Sequence, residues 1–158
     1  MHATAVQFAE DAAERYGVEV DVHEFPEGTK TAADAADAIG CDVAQIASSL
    51  VFTVEGEPVV VVTSGANRVS EDRLAAVFDA DPAAVEMAGA DEVKAATGWS
   101  IGGVPPFCHA TDLRVVFDET LLEFDTVWAA AGTPEAVFPI DPERIVAIAD
   151  AEPAAVAE

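Results

Sequence analysis

Thr97-Gly98-Trp99-Ser100-Ile101-Gly102-Gly103-Val104-Pro105-Pro106 is a stretch that no ordinary helix or strand accommodates. Two adjacent glycines remove the side chains that shield a backbone, and two prolines just beyond them fix φ and delete N–H donors. The stretch reads as a stiff loop whose bare backbone can approach another molecule. Taken alone, a Gly-Gly pair is a tight corner between elements. Gly98-Trp99-Ser100-Ile101-Gly102 also spells the Gly-x-Ser-x-Gly of serine hydrolases, which works only on a strand–turn–helix elbow followed by an acid and then a histidine. Gly103, Pro105 and Pro106 forbid that helix, and no acid lies between Ser100 and the one downstream histidine, His109. The match is accidental.

Outward from the loop, periodicity and capping residues predict the elements. Val6, Phe8-Ala9 and Ala12-Ala13 give an amphipathic helix over residues 3–16, stopped by Gly17. Residues 18–25 alternate apolar and polar and read as a half-buried strand ended by Pro26. Thr31 caps a helix over 32–39, with Asp34 at N3 and Gly40 as stop, and Asp42 caps a short helix over 43–47. Strands over 50–54 and 58–63 flank Glu55-Gly56-Glu57, a hairpin signal. Ser70 caps a helix through Phe78, Asp81-Pro82 starts a short one, and Asp91 caps 92–96. Beyond the loop come strands over 113–117, 126–130 and 136–138, then a helix opened by Asp141-Pro142. Residues 151–158 read as a frayed tail. The expected architecture is a single α+β domain over residues 1–150 with a mixed or mostly antiparallel sheet.

Four stretches in register resemble the YbaK/EbsC family, the ProX-type aminoacyl-tRNA editing domains. The family's Thr-Gly-aromatic step into a Gly-x-x-x-Pro loop is matched by Thr97, Gly98, Trp99, Gly102 and Pro106. Its Thr-x-x-x-Ala-Ala helix opening is matched by Thr31, Ala35 and Ala36, and its strand entry by Ile46-Ala47-Ser48-Ser49-Leu50-Val51-Phe52. Its small-residue turn is matched by Ser64-Gly65-Ala66-Asn67-Arg68-Val69. The resemblance covers residues 31–142 and implies a curved, barrel-like sheet surrounded by helices. It also implies hydrolysis of the ester of a mischarged tRNA bearing a small amino acid, without metal or cofactor. One departure is central: the family's lysine falls on Ser48.

The resemblance places Ser48, Ser49, Ser64, Gly65, Asn67, Gly102, Gly103 and Pro106 around one pocket, with Thr31 and Gly132 as further binding positions. Gly102 and Gly103 would supply oxyanion donors, and Ser48 would hydrogen-bond where the lysine stood. Lys30 is the nearest base in sequence that could compensate. A ribose hydroxyl or the α-amine of the substrate could activate water. The alternative is a non-catalytic module on the same scaffold that binds an aminoacyl- or nucleotide-like ligand or a synthetase.

Composition sets the remaining bounds. With 158 residues and 51% hydrophobic content the chain can bury one sizeable core. No apolar run approaches the ~20 residues that span a bilayer, so no membrane role is expected and the cytoplasm is the expected compartment. Thirty acids against seven bases, a net charge of −23 spread over the chain, reads as a halophilic surface. The bases form no patch, which argues against DNA and, at low salt, against RNA. Screening shortens to about 3 Å at 1 M salt, so in strong salt the acceptor end of tRNA, or a synthetase, remains a candidate partner. Cys41, Cys108 and the histidines share no metal-ligand spacing. Gly28-Thr29-Lys30-Thr31 lacks the upstream glycine of a phosphate loop. His109 is most simply a loop or buried hydrogen-bonding residue.

Overall fold

Val60, Val61 and Val62 are each fully buried, so the strand that carries them is covered on both faces. The computed structural model of the chain describes residues 3–25 and 31–158. It contains helices α1 (Ala3–Tyr16), α2 (Ala32–Ile39), α3 (Glu71–Val77), α4 (Ala90–Thr97) and α5 (Pro142–Ala149). The strands are β1 (His23–Glu24), β2 (Ile46–Val54), β3 (Glu57–Ser64), β4 (Val85–Met87), β5 (Arg114–Asp118), β6 (Val127–Ala130), β7 (Ala136–Ile140) and β8 (Glu152–Ala154). They form one mixed sheet in the order β1-β7-β6-β2-β3-β5-β8, with β4 also on β2. The α+β single-domain class holds. The sheet is uncurled and its ladder open, with β1 and β8 at its ends, so the barrel-like curvature implied by the resemblance is not found.

Local chemistry explains the elements that match the sequence reading. Thr31 Oγ1 accepts from the Asp34 N–H at 3.1 Å, and Gly40 closes α2 at φ 86°. Glu55 and Gly56 both take positive φ, 53° and 82°, the two-residue turn whose twist suits a β2–β3 hairpin. Two apolar layers pack on the sheet. On one face Phe8 of α1 meets Phe138 and Phe107 at ring-centroid distances of 5.2 and 5.7 Å, with Trp99 edge-on at 6.0 Å. On the other, Leu74 of α3 covers Phe52, Val61 and Val116.

Three expectations need correction, and one strand had not been expected. Only His23 and Glu24 of the 18–25 run pair in the sheet, because Val18, Val20 and Val22 bury against the core without a partner strand. The helix after Asp42 stops at Gln45, and β2 starts at Ile46, so Ser48 and Ser49 lie inside a strand rather than at a helix end. β4 has no strong sequence signal. The tail is not frayed: β8 pairs parallel with β5, Val156 is fully buried, and the Glu158 N–H donates to Arg68 O.

Candidate functional site

The second edge of β2 is only partly used. β6 pairs with it in parallel at Ile46 and Ala47, and β4 pairs antiparallel at Phe52, Thr53 and Val54. The Ala88 N–H donates to Val51 O just outside β4. Between these two neighbours, residues 48–50 lack a ladder partner on that side. A cavity of about 190 Å³ opens at this gap. Ser48, Ser49 and Leu50 form one wall, Thr31 and Ala35 of α2 another. Ile101, Gly102 and Val104 of the Gly/Pro loop also line it, together with Met87, Trp128 and Val137. Met87 and Ile101 are 61% and 56% exposed, large apolar side chains held in water at its mouth.

No ionisable side chain lines this cavity among the described residues. Its polar side chains are the hydroxyls of Thr31, Ser48 and Ser49 and the Trp128 indole, and Ser49 Oγ is buried without a hydrogen-bond partner. Lys30 and the Gly28-Thr29 segment lie outside the described residues. Among those described, no three His, Cys, Asp or Glu side chains gather as they would around a metal ion.

The Gly/Pro loop is built for shape. Ser100 to Gly103 form a turn closed by the Gly103 N–H donating to Ser100 O at 3.0 Å, with Gly102 in its third position at φ 87°. Positive φ there alone makes a type II turn, which favours glycine. The Gly103 N–H is thereby used and Gly103 is buried, which removes it as the expected oxyanion donor. A Cβ on Gly103 would lie 2.7 Å from Thr133 Cα, so its glycine serves close packing of two loops. The N–H groups of Gly102 and Val104, which line the cavity, donate to no acceptor among the described residues.

The rest of the loop is anchored inward. Thr97 Oγ1 donates to Val93 O at 2.7 Å and accepts from the Trp99 N–H, while Trp99 Nε1 donates to Cys108 O at 3.0 Å. Gly132 lets the Trp99 ring pass, a Cβ there meeting it at 2.9 Å, so Gly132 supports the loop and does not face the cavity. Pro106 is buried behind it. His109 Nε2 bonds Pro105 O at 2.8 Å, so that nitrogen carries the proton, and burial holds the ring below its ordinary pKa. His109 is a neutral strut.

Ser64, Gly65 and Asn67, expected at the pocket, lie elsewhere. Ser64 Oγ donates to Ala44 O at 2.7 Å, and Gly65 is wedged against Val43 O and Ala32 Cβ. Asn67 Nδ2 donates to Asp118 Oδ2 and Thr120 Oγ1, both at 3.0 Å. The turn thus closes on Asp118, a residue the sequence reading missed. Asp118 Oδ2 also accepts from the Ser64 N–H at 3.1 Å and Thr63 Oγ1 at 3.3 Å, and Oδ1 from the Thr120 N–H at 3.0 Å. Burial raises its pKa, but the donors Asn67, Ser64 and Thr120 outweigh that and hold the carboxyl below its ordinary value. The only local signal was an Asp two residues before Thr120; its other partners lie more than fifty residues away.

Of the sequence-predicted positions, the cavity therefore gathers Thr31, Ser48, Ser49 and Gly102. Comparison with known proteins agrees with this frame. The protein YwhH of Bacillus subtilis (strain 168) is 34% identical over 128 residues, 80% of each chain. A solved structure described as "Crystal structure of a putative trans-editing enzyme for prolyl tRNA synthetase" superposes with a TM-score of 0.93 at 35% identity, covering 100% of this chain and 99% of that one. The proline–tRNA ligase of Staphylococcus haemolyticus (strain JCSC1435) is 28% identical over 102 residues, 65% of this chain and 18% of the ligase. The aminoacyl-tRNA editing domain profile matches residues 26–148, the span that carries the gapped β2 edge and the Gly/Pro loop, and the chain belongs to that family.

Proposed function

We propose that this protein is a freestanding deacylase that hydrolyses the ester of a tRNA mischarged with a small amino acid. The observation that carries the reading is a small cavity with no ionisable side chain among the described residues, lined by a stiff glycine loop whose Gly102 and Val104 N–H groups have no acceptor among those residues. At about 190 Å³ it lies below the about 300–1,000 Å³ of pockets for drug-sized ligands. Its walls of Ala35, Ala47, Ala88 and Ala130 suit an alanyl, cysteinyl or seryl group. The link of two relatives to prolyl-tRNA synthetase makes tRNA for proline the first substrate to try.

Water attacks the ester carbonyl carbon, and negative charge grows on the carbonyl oxygen. The N–H groups of Gly102 and Val104 are the donors for that charge, each preorganised donor contributing roughly 3–4 kcal/mol to the barrier. The C–O ester bond then breaks and the ribose oxygen takes up a proton from the attacking water. The amino acid leaves as its carboxylate, releasing its proton to solvent. With no ionisable side chain at the cavity among the described residues, the proton is relayed by the substrate's own vicinal ribose hydroxyl.

Ser48, standing where the family has lysine, favours a second reading, a binder of aminoacyl groups that does not cut them. One experiment separates the two: a panel of aminoacyl-tRNAs incubated in strong KCl with wild type, Gly102→Ala and Ser48→Lys. A deacylase cuts the small aminoacyl-tRNAs, loses at least about tenfold in rate with Gly102→Ala, and gains with Ser48→Lys. A wild type that cuts none but binds an alanyl-adenosine analogue is the binder.

A further inference from the structure

The gap in the sheet has a direction that its neighbours define. Strand alternation sends the N–H and C=O of successive residues to opposite sides. Ile46 O accepts from the Gly65 N–H on the β3 side, while Val51 O accepts from the Ala88 N–H on the β4 side. Odd-numbered residues of β2 therefore aim their main-chain groups away from β3. Ala47 spends its pair on β6, Thr53 spends its pair on β4, and the Val51 C=O accepts from the Ala88 N–H beside β4. Ser49 stands between them, its N–H and C=O turned into the cavity with no ladder partner. Its Oγ is also buried without a partner, a second unmet group on one residue. A polar group buried without a partner costs about 1–3 kcal/mol, so the cavity-lining Ser49 favours a ligand that completes its unmet groups.

We propose that Ser49 reads the amino acid through its main chain, the aminoacyl group filling the missing rung between β6 and β4. The substrate's α-ammonium donates to Ser49 C=O, which leaves its ester carbonyl oxygen to the N–H groups of Gly102 and Val104. This deepens the deacylase reading and rests on the cavity being the aminoacyl site. Main-chain reading recognises what all amino acids share and leaves selection to the alanine-walled cavity. It also supplies an anchor that needs no cationic side chain, which fits a site carrying Ser48 in place of the family lysine.

The test is binding, by calorimetry in strong KCl, of two non-hydrolysable ligands that differ only at the α-position. They are 3′-alanylamido-3′-deoxyadenosine and its 3′-propionylamido counterpart, in which hydrogen replaces the ammonium. A charge-assisted bond to Ser49 C=O predicts a preference for the alanyl compound of about 10- to 100-fold. The Ser48→Ala/Ser49→Ala double variant keeps that ratio whatever its absolute affinity, because its main chain is unchanged. Equal binding of the two compounds overturns the rung while leaving the aminoacyl site standing. A preference that vanishes in the double variant assigns recognition to a hydroxyl and also overturns it. If neither compound binds and no aminoacyl-tRNA is cut, the rung and the deacylase reading fall together.

Discussion

Replacing Asp118 with alanine tests whether one carboxylate ties the β3 end, the 64–67 turn and the β5 end together. Its oxygens accept from the Ser64 N–H at 3.1 Å, Thr63 Oγ1 at 3.3 Å, Asn67 Nδ2 at 3.0 Å and the Thr120 N–H at 3.0 Å. Asp118 is 1% exposed, Ser64 0% and Thr63 4%, so Asp118→Ala leaves two buried donors where water does not replace the lost oxygen. At about 1–3 kcal/mol for each orphaned donor the cost is about 2–6 kcal/mol, a large part of the 5–15 kcal/mol that typically holds a domain together. For a domain of this size a loss near 4 kcal/mol lowers the melting temperature by about 8–16 °C.

Urea unfolding followed by circular dichroism measures the loss directly. Asn67→Ala is the internal comparison: it removes one donor, leaves the carboxylate three others, and costs about 1 kcal/mol. An Asp118→Ala variant within about 0.5 kcal/mol of wild type, or no worse than Asn67→Ala, refutes the argument. The pH dependence has a defined sign. The native carboxyl is held below its ordinary value, so folding favours the ionised form. The contribution is complete above the unfolded carboxylate pKa of about 3.9 and fades as pH falls through the lower native value. The stability gap between wild type and the neutral Asp118→Asn variant accordingly shrinks below about pH 4.

The two loop glycines should separate by mechanism. Gly103→Ala drives a Cβ to 2.7 Å from Thr133 Cα and costs about 1–3 kcal/mol or more by overpacking, whereas Gly102→Ala meets Pro134 Cγ at 3.4 Å and bears about 1–2 kcal/mol of left-handed strain. Thermal melts should rank Gly103→Ala as the less stable, and the reverse order removes the packing account of that loop. Salt should stabilise the fold: among the described residues Arg114–Glu152 is an ion pair, set against a net charge of −23. The melting temperature rises from low to molar KCl as the screening length contracts, and an unchanged melt sinks the halophilic reading.

Much of the local structure was written in the residues themselves. Thr31 and Gly40 bound α2, Glu55-Gly56 turned the hairpin, and the 97–106 stretch was a loop, because capping, positive φ and missing donors are properties of a few neighbours. Thr31, Ser48, Ser49 and Gly102 could be named as site positions for a different reason, the resemblance of their flanking motifs. The tertiary structure decided the rest. Gly103 looked equivalent to Gly102 until Thr133 packed against it, and Ser64 and Asn67 looked like pocket residues until Asp118 closed on them. The tail read as frayed because its alanines carry no periodicity, yet β5 offers an open edge on which it pairs. Above all, the cavity exists because β6 and β4 stop short of each other along β2. Where a strand's partners end depends on chain segments as distant as Ile46 and Trp128, and nothing in Ser48-Ser49-Leu50 encodes which rung will be left empty.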